Sequence, residues 1–214
     1  MKTDDLCEIL IFAKETFSTL GRITVYGSSQ YIHQKGPQEL KRLADAGLSR
    51  IHVGLESGDD IILKRIKKGT SSKEQIKAGR WVIETGIELS LYVILGIGGK
   101  ERTDSHARET AKVLNEIVPD FIRLRTFVPK INTSLLREVQ DGSFQMLSPH
   151  EVLQETALLI KELQASSYLT SDHYTNYINL EGKLPEGKKG LLDKINIALK
   201  QDEASFRPFF IGTE

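Results

Sequence analysis

The stretch Arg50-Ile-His-Val-Gly-Leu-Glu-Ser-Gly-Asp-Asp60 decides how the chain is read. It has the pattern of a buried strand ending in a polar, glycine-flanked turn. Ile51, Val53 and Leu55 alternate with His52, Gly54 and Glu56, so one row is aliphatic and the other polar, at the two-residue period of a strand. A polar row is ordinary where it meets water. Inside a barrel it means more, because an enclosed carboxylate requires a partner. The neighbouring strands discriminate between the two.

The same alternation recurs on both sides. Arg22–Tyr26 sets Ile23 and Val25 against Thr24 and Tyr26. Glu88–Gly96 sets its leucines and Val93 against Ser90, Tyr92 and Ile94. Phe121–Phe127 sets Ile122 and Leu124 against Arg123 and Arg125. Helical sequence separates the strands: an amphipathic run over 4–20, a helix opened by Pro37 and stopped by Gly47, and a short helix over 61–66 capped by Asp59 or Asp60. Further helices cover 72–84 and 104–117. Four strands near 22–26, 50–56, 88–95 and 120–126, each followed by a helix, predict an α/β fold. The expected architecture is a partial TIM-like (β/α) barrel with a parallel sheet and the helices outside. The aliphatic rows then face the helices. The opposite row holds Thr24, Tyr26, His52, Glu56, Ser90, Tyr92, Arg123 and Arg125, whereas a barrel filled only for packing favours bulky branched residues there. That row predicts a ligand-lined lumen.

Beyond Pro129 the pattern loosens, so residues 1–145 are taken as the barrel core and 146–214 as a helical extension packed on it. Ser148 and Glu151 form a capping box, with Pro149 at the first helical position, for a helix to about Gln164. A last amphipathic helix covers Leu191–Leu199, and the apolar tail Phe206–Ile211 is expected to dock on the body of the protein.

Composition limits the function. With 29 basic and 29 acidic residues among 214, the balance disfavours nucleic acid or an anionic membrane as the main partner. The single cysteine, Cys7, excludes an internal disulfide framework and a multi-cysteine metal site in this chain. No apolar run has the length of a membrane span, so a soluble cytoplasmic protein is expected. Asp172-His173 has no nucleophile at triad spacing, and His33, His106 and His150 fit no metal-ligand spacing and are expected at the surface.

Four constellations remain. Glu56-Ser57-Gly58 lies where a parallel strand ends, the place where α/β folds bind ligands, and Gly54 and Gly58 would let a ligand approach the backbone. Lys64, Arg65, Lys67 and Lys68 form mostly a solvated face, from which one member turned inward could hold a carboxylate. Gly96-Ile-Gly-Gly99 lacks P-loop and Rossmann spacing and suits a tight turn or backbone contact to a planar ring. Arg123 and Arg125 stay charged, so two inward copies require anionic partners: Glu56, Glu88 or a ligand.

Taken together, Glu56-Ser-Gly-Asp-Asp60 through Lys68-Gly-Thr70, Tyr92-Val-Ile-Leu-Gly-Ile-Gly-Gly99 and Asp120-Phe-Ile-Arg-Leu-Arg-Thr126 resemble the later part of the radical SAM core. The branch is that of the coproporphyrinogen-oxidase-like and Elongator-like proteins. The match runs from about 22 to 145, with a weaker continuation through Ser171-Asp-His173, Asn176 and Leu184-Pro185. The resemblance implies a partial (β/α) barrel, S-adenosylmethionine (SAM), and a [4Fe–4S] cluster held by a CxxxCxxC loop. It also implies reductive cleavage of SAM to a 5′-deoxyadenosyl radical. On that resemblance, Glu56 and Ser57 meet the ribose and amino end of SAM, and Lys68 holds its carboxylate. Ile94 and Gly96 flank the adenine, with Tyr92 where the family has a glycine. The strand carrying Arg123 and Arg125 meets the adenine through its backbone.

One departure outweighs these matches: the chain has no CxxxCxxC. In family terms it begins after the cluster loop and lacks the first two βα units. The expectation is a fragment that supplies part of the SAM pocket of a full-length enzyme and is inactive alone. Its missing N-terminal βα units are the partner, and the edge beside 22–26 is left open to self-association. Two other readings stay open, a non-catalytic SAM- or nucleotide-binding remnant acting as a partner module, and a metal-independent TIM-type lyase. Retained SAM affinity that Glu56→Ala abolishes would set the first two apart from the lyase. The substrate is not legible.

Overall fold

One six-stranded sheet organises the molecule, in a computed structural model that describes residues 1–212. Its strands lie side by side in chain order: β1 (Thr24–Gly27), β2 (Arg50–Glu56), β3 (Glu88–Leu95), β4 (Phe121–Thr126), β5 (Tyr168–Thr170) and β6 (Glu181–Lys183). The first five are parallel and β6 runs antiparallel to β5. The helices are α1 (Thr3–Thr16), α2 (Ser29–Ala46), α3 (Asp60–Arg65), α4 (Ser72–Glu84), α5 (Gly99–Ile117), α6 (Ser134–Gln140), α7 (Pro149–Glu162) and α8 (Lys188–Ala198). Each crossover adds the next strand on the same side, the winding of a TIM-like barrel.

The aliphatic rows fill the core, as the alternation requires. Ile51, Val53 and Leu55 of β2, Leu89, Leu91, Val93 and Leu95 of β3, and Ile122 and Leu124 of β4 are all buried. They share one apolar cluster with Leu40 and Leu43 of α2, Val82 of α4, Leu114 of α5 and Leu159 of α7. Burying each such side chain contributes about 2 kcal/mol, so this face holds the sheet and the helices together. Capping boxes start two of the helices: Ser71 with Glu74 for α4, and, as expected from the sequence, Ser148 with Glu151 and Pro149 for α7.

Two expectations are corrected. The region 146–214, expected to be helical, also contributes β5 and β6 to the sheet. Each is three residues long, too short for an alternation to register. The second helix begins at Ser29 rather than at Pro37, with Ser28 accepting from the Tyr31 N–H. Gly36, at φ 77°, interrupts it, and Pro37 restarts it, which is why only the second part carried a readable start.

At the other edge of the sheet, among the described residues, β1 is bonded to β2 alone. Tyr26 there is 77% exposed, and a groove of about 430 Å³ runs beside it, lined by Leu6, Val25, Ile32, Leu40 and Leu43. Among the described residues no helix is long and apolar enough to cross a membrane.

Candidate ligand site on the polar face of the sheet

The end of β2 is bulged. Gly54 lies opposite Tyr92, but Glu56 lies opposite Val93, so one extra residue enters the strand between them. A bulge re-aims the side chain that follows it. Glu56 takes φ 62°, a left-handed conformation that non-glycine residues seldom adopt. Its carboxylate folds back over Gly54, where a Cβ would collide with it. The hydrogen of Gly54 therefore makes room for Glu56 rather than for a ligand, which corrects the role expected of this glycine.

Oε1 of Glu56 accepts from Lys68 Nζ at 2.8 Å, with the two side chains 19% and 18% exposed. Lys68 is thus the inward member of its basic cluster. Lys67 at φ 53° and Gly69 at φ 74° bracket it and turn the chain back toward β2, while Arg65 turns away to Glu138. Asp59 caps α3, accepting from the N–H groups of Ile61 and Ile62. Its second oxygen takes Arg102 through Nε and Nη2, at 3.0 and 2.7 Å.

Ser57 and Gly58 face the helices instead. Ser57 is 0% exposed, its Oγ lies 2.9 Å from His106 Nδ1, and it accepts from the Asp59 N–H. Gly58 donates its N–H to Thr110 Oγ1 and packs so closely on Glu109 and Thr110 that a Cβ has no space. The Ser57 hydroxyl is therefore committed to α5 and does not reach the polar face, and the space at Gly58 belongs to helix packing.

His106, expected at the surface, is buried beside Glu155, with Nε2 to Oε1 at 3.7 Å. Glu155 is also buried; its oxygens accept from the Gly96 N–H at 2.7 Å and from Thr103 Oγ1 at 2.6 Å. This pair ties the turn after β2 to the glycine loop after β3. A signal for Glu155 existed, since it interrupts the buried stripe formed by Val152, Leu159 and Ile160 of α7 at helical spacing. A carboxylate in such a stripe needs internal donors.

On the polar face itself, rings of Tyr26, His52 and Tyr92 run across β1, β2 and β3, with centroids 5.1 and 5.7 Å apart. The Arg125 guanidinium lies 4.5 Å over the Tyr92 ring. Arg123 donates Nε–H to Ser90 Oγ at 3.1 Å. Both carboxylates expected to neutralise these arginines are taken elsewhere, Glu56 by Lys68 and Glu88 by Arg50 at 2.8 Å. Among the described residues no carboxylate pairs with Arg123 or Arg125. Burial, then the charges of Arg123, Arg50, Arg22 and Arg125, hold His52 below the usual imidazole range. Burial and then a hydrogen bond to Tyr26 push the Tyr92 phenol up. Beyond the strand ends, Ile94, Ile97, Arg125, Thr126, His173 and Tyr174 line a cavity of about 660 Å³, within the range of small-molecule sites.

A [4Fe–4S] cluster does not fit the residues present. Cys7, the single cysteine, sits on α1 with its Sγ toward the Arg42 carbonyl. Among the described residues no three His, Cys, Asp or Glu side chains are grouped to hold a metal ion.

Comparison with known proteins bears on the family and the fold. The family model for the Radical SAM superfamily matches residues 3–114, just over half of the chain. No curated protein matches the sequence. Among solved structures, an N-terminally truncated archaeal Elp3 from Methanocaldococcus infernus superposes with a TM-score of 0.61 at 15% identity, over 84% of this chain and 41% of that one. Coproporphyrinogen III oxidase (HemN) from Escherichia coli, described as a radical SAM enzyme, gives 0.62 at 16% identity, over 78% and 38%. Methylornithine synthase (PylB) gives 0.55 at 14% identity, over 94% and 64%. These likenesses concern the fold. The chain spans less than half the length of the first and second of these structures and just under two thirds of the third.

Proposed function

Because the chain belongs to the radical SAM superfamily, we propose that its polar sheet face is part of the SAM pocket of a larger enzyme. The Glu56–Lys68 pair carries this reading. It presents one negative and one positive group side by side at the C-terminal end of β2, and the amino-acid end of SAM is a zwitterion that matches both. Glu56 accepts from the ammonium and the ribose hydroxyls, and Lys68 donates to the carboxylate. Gly96, whose N–H is held by Glu155, and Ile94 line the adenine side together with the backbone of residues 122–125. Tyr92 closes the wall between them. Ser57 takes part as a positioning residue that fixes the turn from behind. When bound, SAM supplies radical chemistry through cleavage of its bond from sulfur to the 5′ carbon.

The cluster that such cleavage requires has no ligands on this polypeptide, so the chain is inactive alone and acts within a complete barrel. The unpaired edge of β1 and the apolar groove beside it are where further βα units of such a barrel would dock. Titration calorimetry with SAM tests the pocket. Glu56→Ala and Lys68→Ala should each weaken binding by at least about tenfold, the loss of one charged hydrogen bond; unchanged affinity in both overturns the assignment. Anaerobic reconstitution tests the rest: no [4Fe–4S] absorbance is expected, and a stoichiometric cluster would sink it.

A further inference from the structure

The Glu56–Lys68 pair leaves the positive charge on β4 unexplained. Arg123 and Arg125 occupy successive positions on the polar face, roughly 7 Å apart at the rise of a strand. Ser90 holds Arg123 through Nε alone, and the Tyr92 ring supports the plane of Arg125. Among the described residues, no hydrogen bond engages the Nη groups of Arg123 or any part of the Arg125 guanidinium. Both forks are therefore oriented and open, the arrangement that binds carboxylate or phosphate in bidentate fashion.

Two buried polar atoms without partners flank them. Thr170 is the register partner of Arg123 on β5, and its Oγ1 is unsatisfied. His52 Nδ1 is unsatisfied on the other side, one strand beyond Ser90. The remaining acid on this row, Glu181, accepts from the Tyr168 hydroxyl. The local excess of cations contrasts with a chain whose net charge is zero.

We propose that the polar face of β3, β4 and β5 is the binding site of an acidic small molecule, whose carboxylate or phosphate groups are taken by Arg123 and Arg125 with Thr170 and His52 beside them. This is a site for a second ligand, distinct from SAM, whose own carboxylate and ammonium are matched by Lys68 and Glu56. Anion binding is tested without the SAM assignment, because the anion is titrated into the protein alone; only its separateness from SAM rests on that assignment.

Calorimetric titration at low ionic strength uses succinate and pyrophosphate as probes, with succinamide as the uncharged control. At least one anion should bind, and succinamide should not. Arg123→Gln and Arg125→Gln should each weaken the anion at least about tenfold, while Arg→Lys at either position retains part of the affinity. Matching thermal melts establish that each variant is folded, and the lysine variants stand in where a glutamine variant is not. No binding by either anion, equal binding of succinamide, or unchanged affinity in the folded variants overturns the proposal. So does displacement of the anion by SAM, which would assign the arginines to the SAM carboxylate. The two probes separate carboxylate from phosphate preference.

Discussion

The two faces of β2 are one residue apart in sequence and opposite in physical state. On the helix side, Leu55 and its neighbours are closed off from water, and buried acids have partners: Asp59 with Arg102, and Glu155 with the Gly96 N–H and Thr103. On the other side the cations outnumber the acids, rings stand partly exposed, and a non-glycine residue is held in a left-handed conformation. A sheet whose only task was packing would spend neither strain nor unpaired charge there. The contrast teaches that stability is concentrated on one face, while the other carries strain and charge that packing does not require. Substitutions should therefore sort by face.

The largest effects belong to the helix side. Gly58→Ala forces a Cβ into the backbone of Glu109 and Thr110 and should cost about 3 kcal/mol or more, read from denaturant unfolding. Leu55→Ala leaves a cavity beneath the turn and should cost about 2–5 kcal/mol. Glu155→Ala strips the acceptor from the Gly96 N–H and Thr103 and should cost about 2 kcal/mol. If Glu155→Ala proved neutral, the network would not be what fixes the two loops.

How far the sequence disclosed this division depends on period. Strands of six to eight residues display both rows, so β2, β3 and β4 were legible together with the polar row through Glu56, Tyr92 and Arg123. β5 and β6 complete fewer than two repeats and were not. The direction of a turn residue is likewise hidden. Glu56 and Ser57 are adjacent and polar, and only the bulge and the left-handed φ of Glu56 send one to the polar face and the other to His106. From residue pattern alone Lys68 could not be told from Lys64 or Lys67; the resemblance picked it out, and the turn that follows α3 is the physical reason it faces Glu56. Unpaired arginines were visible as arginines, but that their acids are engaged elsewhere is a tertiary fact.

Intermediate effects test the polar face and the open edge. Glu56→Ala should change stability by about 1 kcal/mol or less, since a partly exposed ion pair contributes little, while on the proposed SAM assignment it should weaken SAM binding at least about tenfold. A large loss of stability would place Glu56 with the structural residues and erase the contrast. At the β1 edge, Val25→Lys should reduce any concentration-dependent self-association seen by light scattering, because a charged edge disfavours strand pairing. An unchanged mass distribution would point to another surface.

The smallest effect is the most specific to the polar side. His52 lies below its ordinary value of 6.5 because burial and four arginines disfavour its charged form, and burial with Arg125 lowers His173 in the same direction. In the window between the lowered folded values and about 6.5, the unfolded chain binds more protons than the folded one, so stability rises with pH there. The contribution is complete above about pH 6.5 and is lost as pH falls toward the folded values. Replacing His52 by Gln should flatten part of that slope and leave the share of His173. Arg123→Gln removes the strongest charge acting on His52 and should raise its midpoint in an NMR titration. A bound anion should do the same by neutralising the arginines. If pyrophosphate or succinate binds yet leaves the His52 midpoint unmoved, the anion does not sit among these side chains, and the polar row is a solvated face.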